Sequence, residues 1–226
     1  MSIKEYTAVI PIRSGSKGLP KKNIRPFLGS PLYTYTLNQA KDLELNRIII
    51  STDESLILNA KPVNGVEVIK RPQYLSGDDV EMNLVIKNII ETCCIDGPII
   101  LLQVTSPLRK KEHIEEAIHV FDSGKFDLIM SVTKADSSAL KWGTLDSQCF
   151  TPLNEPDFCF KNRQNLPFVY KPNGALYIFH SQSFLKNDNF PTTNIGVIEM
   201  TSIESLDIDT LQDFNLCEET FIRTRR

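Results

Sequence analysis

The stretch IPIRSGSKGLPKKN (residues 10–23) follows an apolar run near the N-terminus and sets two glycines, Pro20 and four basic residues into one turn. In an open α/β sheet, ligands bind where loops leave the carboxyl ends of the strands, and the turn after the first strand is the usual phosphate site. Gly15 and Gly18 are expected to supply positive φ and close approach of backbone amides, while Arg13, Lys17, Lys21 and Lys22 neutralise negative charge. Two familiar phosphate motifs are excluded by spelling. A Walker loop needs Gly-Lys followed by Ser or Thr, and Leu19 follows Gly18; a dinucleotide fingerprint needs a further glycine where Arg13 stands. A solvated basic turn is the competing reading.

Outward from that turn, short apolar runs alternate with amphipathic ones. Strands are expected at 7–12, 47–52, 66–69, 98–104 and 127–132, and helices at 31–43, 54–60, 80–93 and 111–121. Continuous runs such as IIIS and IILLQV have no polar face, as in a parallel sheet covered on both sides by helices. The predicted class is α/β, a Rossmann-like, mostly parallel sheet with flanking helices. Beyond Thr133 the alternation weakens: 142–152 reads as a hairpin, 154–172 is rich in proline and asparagine, and 174–179 and 196–200 read as strands. That half is expected to carry an insertion or lid around 134–195 on a single domain spanning 1–226. A helix from about 210 to 221 and a solvated RTRR tail close the chain.

A net charge of -3 and a pI near 5.7 argue against a protein held on nucleic acid by a general basic field, so the cluster at 13–22 points to a small anion. Five cysteines with no C-x-x-C pair suggest free thiols, buried or partly buried. No signal segment or stretch of membrane-spanning length is evident, which predicts a cytoplasmic chain without a membrane partner. The three histidines show no metal-ligand spacing and read as surface or helix-face residues.

The string R-S-G-S-K-G-L-P-K-K-N closely resembles the N-terminal signature of the CMP-sialic acid synthetases, a family of sugar-activating cytidylyltransferases. IIISTD (48–53), RPQYLSGD (71–78), LLQVTSPLR (101–109), RQNLPFVYKPNGALYI (163–178) and SLDIDTLQD (205–213) resemble the same family in the same order. The bacterial acylneuraminate cytidylyltransferases, including those acting on legionaminic or pseudaminic acid, are the branch it is most similar to. An eight-carbon (Kdo-type) cytidylyltransferase, whose signature resembles R-Y-x-S-x-R-L-P-G-K, and a non-catalytic nucleotide-binding homologue are the alternatives.

The resemblance implies a Mg²⁺-dependent transfer of CMP from CTP to a nine-carbon 2-keto sugar acid, by a homodimer with a dimerisation element in its second half. It makes Arg13, Lys17 and Lys22 the triphosphate clamp, with Ser14, Gly15 and Asn23 beside them and Lys21 on the surface. Arg71 and Asp78 would close on the nucleotide, where Asp79, Glu81 and Met82 depart from the small hydroxyl residues of some relatives. Gln103 would face sugar and nucleotide with Thr105 nearby; Arg109, on the first turn of the next helix, ranks below it. Lys141, Arg163, Lys171, Asn173 and Tyr177 would line the sugar pocket. Phe190 would reach across the dimer to the acyl group, with Pro191 where some relatives carry a second aromatic. Asp207 and Asp209, two apart, share one face of an extended segment; spacing alone favours a helix capping box of Asp209 with Gln212, and it is the resemblance that makes the two carboxylates the metal holders, with Asp209 able to serve in both.

Overall fold

The computed structural model describes residues 3–45 and 47–224. The chain opens with β1 (Thr7–Ile12), a short pair β2 (Pro26–Phe27) and β3 (Ser30–Pro31), and α1 (Leu32–Lys41). β4 (Arg47–Thr52), the single-turn α2 (Ser55–Leu58), β5 (Val66–Lys70), α3 (Met82–Cys93), β6 (Pro98–Leu102) and α4 (Lys111–Asp122) continue the alternation. β7 (Leu128–Ala135), the hairpin β8 (Gly143–Asp146) and β9 (Cys149–Pro152), β10 (Val169–His180), α5 (Ser181–Asn187), β11 (Ile195–Glu199) and α6 (Leu211–Thr224) complete it.

Seven strands form one sheet in the order β11-β7-β10-β6-β1-β4-β5. Every neighbouring pair is parallel except the two that β10 makes, antiparallel to β6 on one side and β7 on the other. All of β1 is buried, and successive side chains serve opposite faces: Ala8, Ile10 and Ile12 join the core beneath α1, α4 and α6, while Val9 joins Val85, Ile86 and Ile89 of α3. Two apolar layers on one sheet explain why its strands read as unbroken apolar runs.

The second half departs from the sequence expectation. Strand β10 begins inside the proline- and asparagine-rich tract and sits between β6 and β7, so the insertion expected at 134–195 contains a central strand of the sheet. Pro172 is accommodated because the pairing of β10 with β7 shifts register between Pro172 and Tyr177, with Gly174 at φ 75 in the shifted segment. The part that stands clear is 136–168, the β8–β9 hairpin and its flanking turns, which expose Trp142, Leu145, Phe150, Leu153, Phe160 and Phe168.

Cys93 and Cys217 are buried and Cys159 is half-buried, but Cys94 and Cys149 are exposed, against the expectation of sheltered thiols. His113 is buried against Glu204 and is not a surface residue. The helix of the closing segment reaches Thr224; the last two residues of the RTRR tail lie outside the described residues. No helix among the described residues is long and apolar enough to cross a membrane.

Candidate active site

The loop after β1 is held by its own polar side chains. Ser14 donates through its backbone N (2.7 Å) and its Oγ (2.6 Å) to the two carboxylate oxygens of Asp53, which follows β4, and Asn23 Nδ2 donates to the Arg13 carbonyl (2.9 Å). Ser14 and Asn23 therefore shape the turn. Asp53, quoted within IIISTD but given no role there, is the group that anchors it.

Positive φ is not what the glycines supply. Neither Gly15 nor Gly18 has it; Lys21 takes the left-handed conformation at φ 55. Gly18 is needed for a different reason, since a Cβ there would lie 2.3 Å from the Asp209 carbonyl oxygen. A Cβ on Gly15 would meet nothing within 4 Å. The basic turn and the segment carrying Asp207 and Asp209 are thus packed backbone to backbone.

That contact brings the clamp and the carboxylates together. Lys22, only 8% exposed, donates to the Ile208 carbonyl and pairs with Asp209 Oδ1 at 3.0 Å. Ile208 is fully buried and its N–H donates to the Thr105 carbonyl (2.9 Å), leaving the flanking Asp207 and Asp209 to face outward. The capping-box reading is corrected by one residue: Thr210 Oγ1 accepts from the Asp213 N–H (3.2 Å) while Asp213 accepts from the Thr210 N–H (2.8 Å). With Thr210 as the cap, Asp209 is free for other work.

Asp207 opens to solvent at the cleft mouth but has protein packed around its sides. This desolvation holds its carboxyl above the usual range, against a hydrogen bond from Thr105 and assisted by Asp209. Burial likewise raises the Tyr177 hydroxyl, with the Asp207 charge adding to it, so Tyr177 lies within electrostatic reach of the carboxylates.

A cavity of about 160 Å³ at the carboxyl ends of β1 and β6 is lined by Arg13, Gly15, Lys22, Asn23, Arg71, Gln103 and Thr105 among others. Arg71, 4% exposed, donates through Nη2 to the Ser51 carbonyl (3.1 Å), while its buried Nε has no partner. Burial lowers its guanidinium to about 10, opposed by Asp53 and assisted by Arg13. A buried donor left unpaired beside a cavity is a place for a ligand acceptor. Arg13 Nη1 donates to Asp78 Oδ1 (2.5 Å), and Lys17 lies 3.8 Å from Asp78 and 3.4 Å from Asp79. Asp78 is thus held by Arg13 and Lys17, two cations of the basic turn.

The sugar residues are not gathered in the same way. Arg163 lines a separate hollow of about 600 Å³ with Lys134 and Phe168 and pairs with Asp136 at 3.1 Å; Lys141 Nζ donates to the Lys161 carbonyl (2.6 Å). Lys171 is exposed on β10. Asn173 is occupied by structure: its Oδ1 accepts from Ser131 Oγ (2.5 Å) and the Ala175 N–H (3.2 Å), and its Nδ2 donates to Ser205 Oγ (2.8 Å). It ties the irregular stretch of β10 to the loop that leads into Asp207. Phe190 does not project away from its own chain; it packs on Tyr177, Phe179 and Phe184 with ring centroids 5.1–5.4 Å apart.

Lys110 binds Glu204 at 2.7 Å, and His113 Nε2 lies 3.5 Å from the same carboxylate, fastening α4 to that loop. Burial alone would raise Glu204, but hydrogen bonds from Lys110 and Thr201, with His113, outweigh it and hold the carboxyl at about 2. Burial lowers His113 despite Glu204.

Sheet and cleft together define a Rossmann-like α/β fold, a mostly parallel sheet with flanking helices and a cavity at its strand ends. A family model described as cytidylyltransferase matches residues 7–220. The N-acylneuraminate cytidylyltransferase of Streptococcus agalactiae serotype V is 32% identical over 210 residues, covering 91% of this chain and 51% of that protein. The CMP-N,N'-diacetyllegionaminic acid synthase of Legionella pneumophila is 32% identical over 227 residues, covering 94% of each chain. Among solved structures, CMP:2-keto-3-deoxy-manno-octonic acid synthetase complexed with CTP superposes with a TM-score of 0.74 at 15% identity, covering 97% of this chain and 99% of that one, a likeness of fold alone. The chain belongs to the CMP-sialic acid synthetase family of cytidylyltransferases. It spans about half the length of the streptococcal relative and nearly all of the Legionella one.

Proposed function

We propose that this chain transfers CMP from CTP to the anomeric hydroxyl of a sialic-acid-like nine-carbon 2-keto sugar acid. One observation carries the reading: Arg13, Lys22, Arg71, Gln103 and Thr105 face a common cavity at the strand ends, and Lys22 and Thr105 also hold the segment bearing Asp207 and Asp209. The anomeric oxygen bonds to the α-phosphorus as the bond from that phosphorus to the bridging oxygen breaks. Pyrophosphate leaves and the hydroxyl proton passes to water. Charge grows on the departing pyrophosphate, so the task of the protein is positioning and charge stabilisation; in this proposal Arg13 and Lys22, which line the cavity, supply it together with Lys17 at its exposed rim.

Among the described residues no group of three or more His, Cys, Asp or Glu side chains could hold a metal alone. Mg²⁺ is bound by one or two carboxylates plus substrate phosphates, and Asp207 and Asp209, hard oxygen donors at the cleft, fit that need. When bound there, Mg²⁺ would screen the triphosphate charge.

The nine-carbon acceptor is supported by the sequence relatives, whereas the octulosonate synthetase is similar in fold only. A homodimer is supported by the exposed apolar side chains of 136–168 and by the position of Arg163 on that arm, in a hollow apart from the cleft. Such an arm completes a sugar site if it lies over the cleft of a second copy. A cytoplasmic location is part of the same proposal, supported by the biosynthetic enzymes among the relatives.

Pyrophosphate release with CTP and Mg²⁺, run in parallel with N-acetylneuraminic, legionaminic, pseudaminic and 3-deoxy-octulosonic acids, tests the reading. Release with a nonulosonate and none with the octulosonate is expected. Release with the octulosonate alone, or with no acid from folded chain that still binds CTP, would overturn it.

A further inference from the structure

Arg109 is the largest fully buried side chain of the described residues, 1% exposed, and it has no carboxylate partner among them. Its five N–H donors are nevertheless all used. Nε and Nη2 donate to Gln39 Oε1 (3.1 and 2.8 Å) and Nη2 also to Thr36 Oγ1 (3.3 Å), both on α1. Nη1 donates to the Ala175 carbonyl on β10 (2.5 Å) and to the Gln103 carbonyl at the end of β6 (3.1 Å). Gln39 returns a hydrogen bond from Nε2 to the Arg109 carbonyl.

These acceptors lie where the parallel part of the sheet meets its antiparallel strand. The Gln103 N–H donates to the same Ala175 carbonyl (3.3 Å), so both backbone groups of Gln103 are fixed through one guanidinium and one carbonyl. The loop 103–109 is thereby closed by its own last side chain folding back on its first residue. Gln103 and Thr105, which line the nucleotide cavity, belong to that loop, and Arg109 itself does not line the cavity. Burying a guanidinium without a counter-charge is costly. An ordinary core would fill the place with apolar side chains, whereas only a planar fork reaches acceptors on α1, β6 and β10 at once.

We propose that Arg109 is a positioning residue that acts through Gln103: it sets the rigid loop from which Gln103 and Thr105 face the reacting groups. The kinetic part of this inference rests on the cytidylyltransferase reading above; the structural part does not. Lysine keeps the charge but offers three donors from one point, so R109K is the informative variant.

Two measurements separate the layers. Hydrogen exchange followed by mass spectrometry needs no substrate: R109K is expected to speed exchange in peptides covering 102–110 at least tenfold while peptides of β1 and β4 are unchanged. Unchanged exchange at 102–110, or a uniform rise across the chain, overturns the inference whether or not the enzyme turns over. Kinetically, R109K is expected to lower kcat at least tenfold with the KM for CTP moving less than threefold, since Arg13 and Lys22 hang on the loop after β1. In a Q103A background the same change should cost less than threefold. Multiplying effects of R109K and Q103A would overturn the link to Gln103. If R109K fails to fold, Q39L, which removes two of the five hydrogen bonds, is expected to shift exchange and kcat in the same direction by a smaller factor; failure of both to fold would make Arg109 a residue of stability only and sink the inference.

Discussion

Lys22 and Arg163 are both cations proposed to meet an anion, and the fold treats them in opposite ways. Lys22 is 8% exposed, bound to the Ile208 carbonyl and to Asp209, and wedged between the basic turn and the carboxylate segment. The Arg163 side chain is 71% exposed on the arm and pairs with Asp136, itself half in solvent. The cleft is assembled within one chain, where Arg13 and Lys22 are already paired with Asp78 and Asp209 and Arg71 keeps an unpartnered Nε. The arm holds its cations loosely and away from the cleft. Preorganised charge belongs where phosphorus chemistry is proposed, and adaptable charge where a second copy is proposed to dock.

Breaking the two pairs should give unequal results. K22M is expected to lower pyrophosphate release about 10²–10³-fold, the range for losing one preorganised electrostatic contact. R163A should change thermal stability by no more than about 1 kcal/mol, as for an exposed pair, and affect turnover only through the KM of the sugar acid. Steady-state kinetics with both substrates varied, together with thermal melts, checks both. A large stability loss in R163A would erase the contrast.

The two glycines of the turn sharpen it. G18A drives a Cβ against the Asp209 carbonyl and should cost about 1–3 kcal/mol as an overpacked site, with a loss of turnover because Asp209 must shift. G15A meets open space and should leave melting and CTP binding close to wild type. Equal behaviour of the two variants would refute the packing role of Gly18.

The smallest effect is expected at the cleft rim. Asp79 lies on the loop that departs from relatives and pairs with Lys17 at 3.4 Å. A triphosphate must compete with that contact. D79N should therefore lower the Kd for CTP by up to about fivefold, the scale of a surface ion pair, and isothermal titration with CTP and Mg²⁺ at two salt concentrations would detect it. Weaker CTP binding in D79N would show that Asp79 helps to hold the nucleotide.

Much of the first half was legible because its signals are local. The run 7–12 is apolar on both faces and became β1 with those bounds, and 47–52 became β4. The basic turn was read as an anion site from its place and its family resemblance, and the reason for its glycines was misread. Only proximity to Asp209, far along the chain, reveals what Gly18 is for. The cap of α6 was displaced by one residue for a similar reason: T-x-x-D and D-x-x-Q overlap, and backbone geometry alone selects Thr210 with Asp213.

The second half was less legible because strand pairing is not local. Nothing within 169–180 says that it enters between β6 and β7, and its proline argued against a central strand until the register shift accommodated it. α5 passed unnoticed because seven residues leave little periodicity to read. Asn173 looked like a wall of the sugar pocket and is instead saturated by Ser131, Ala175 and Ser205, partners that only the assembled sheet supplies.

By itself the sequence determined the class of fold, the basic turn after the first strand and the ordered motifs that place the chain in its family, since periodicity, spacing and residue chemistry are properties of short segments. The tertiary structure alone decided which carbonyls Arg109 joins, why Gly18 is a glycine, and that the arm cations stand apart from the cleft. Those follow from contacts between residues distant in the chain, where burial and hydrogen-bond geometry, and not local composition, set the energy.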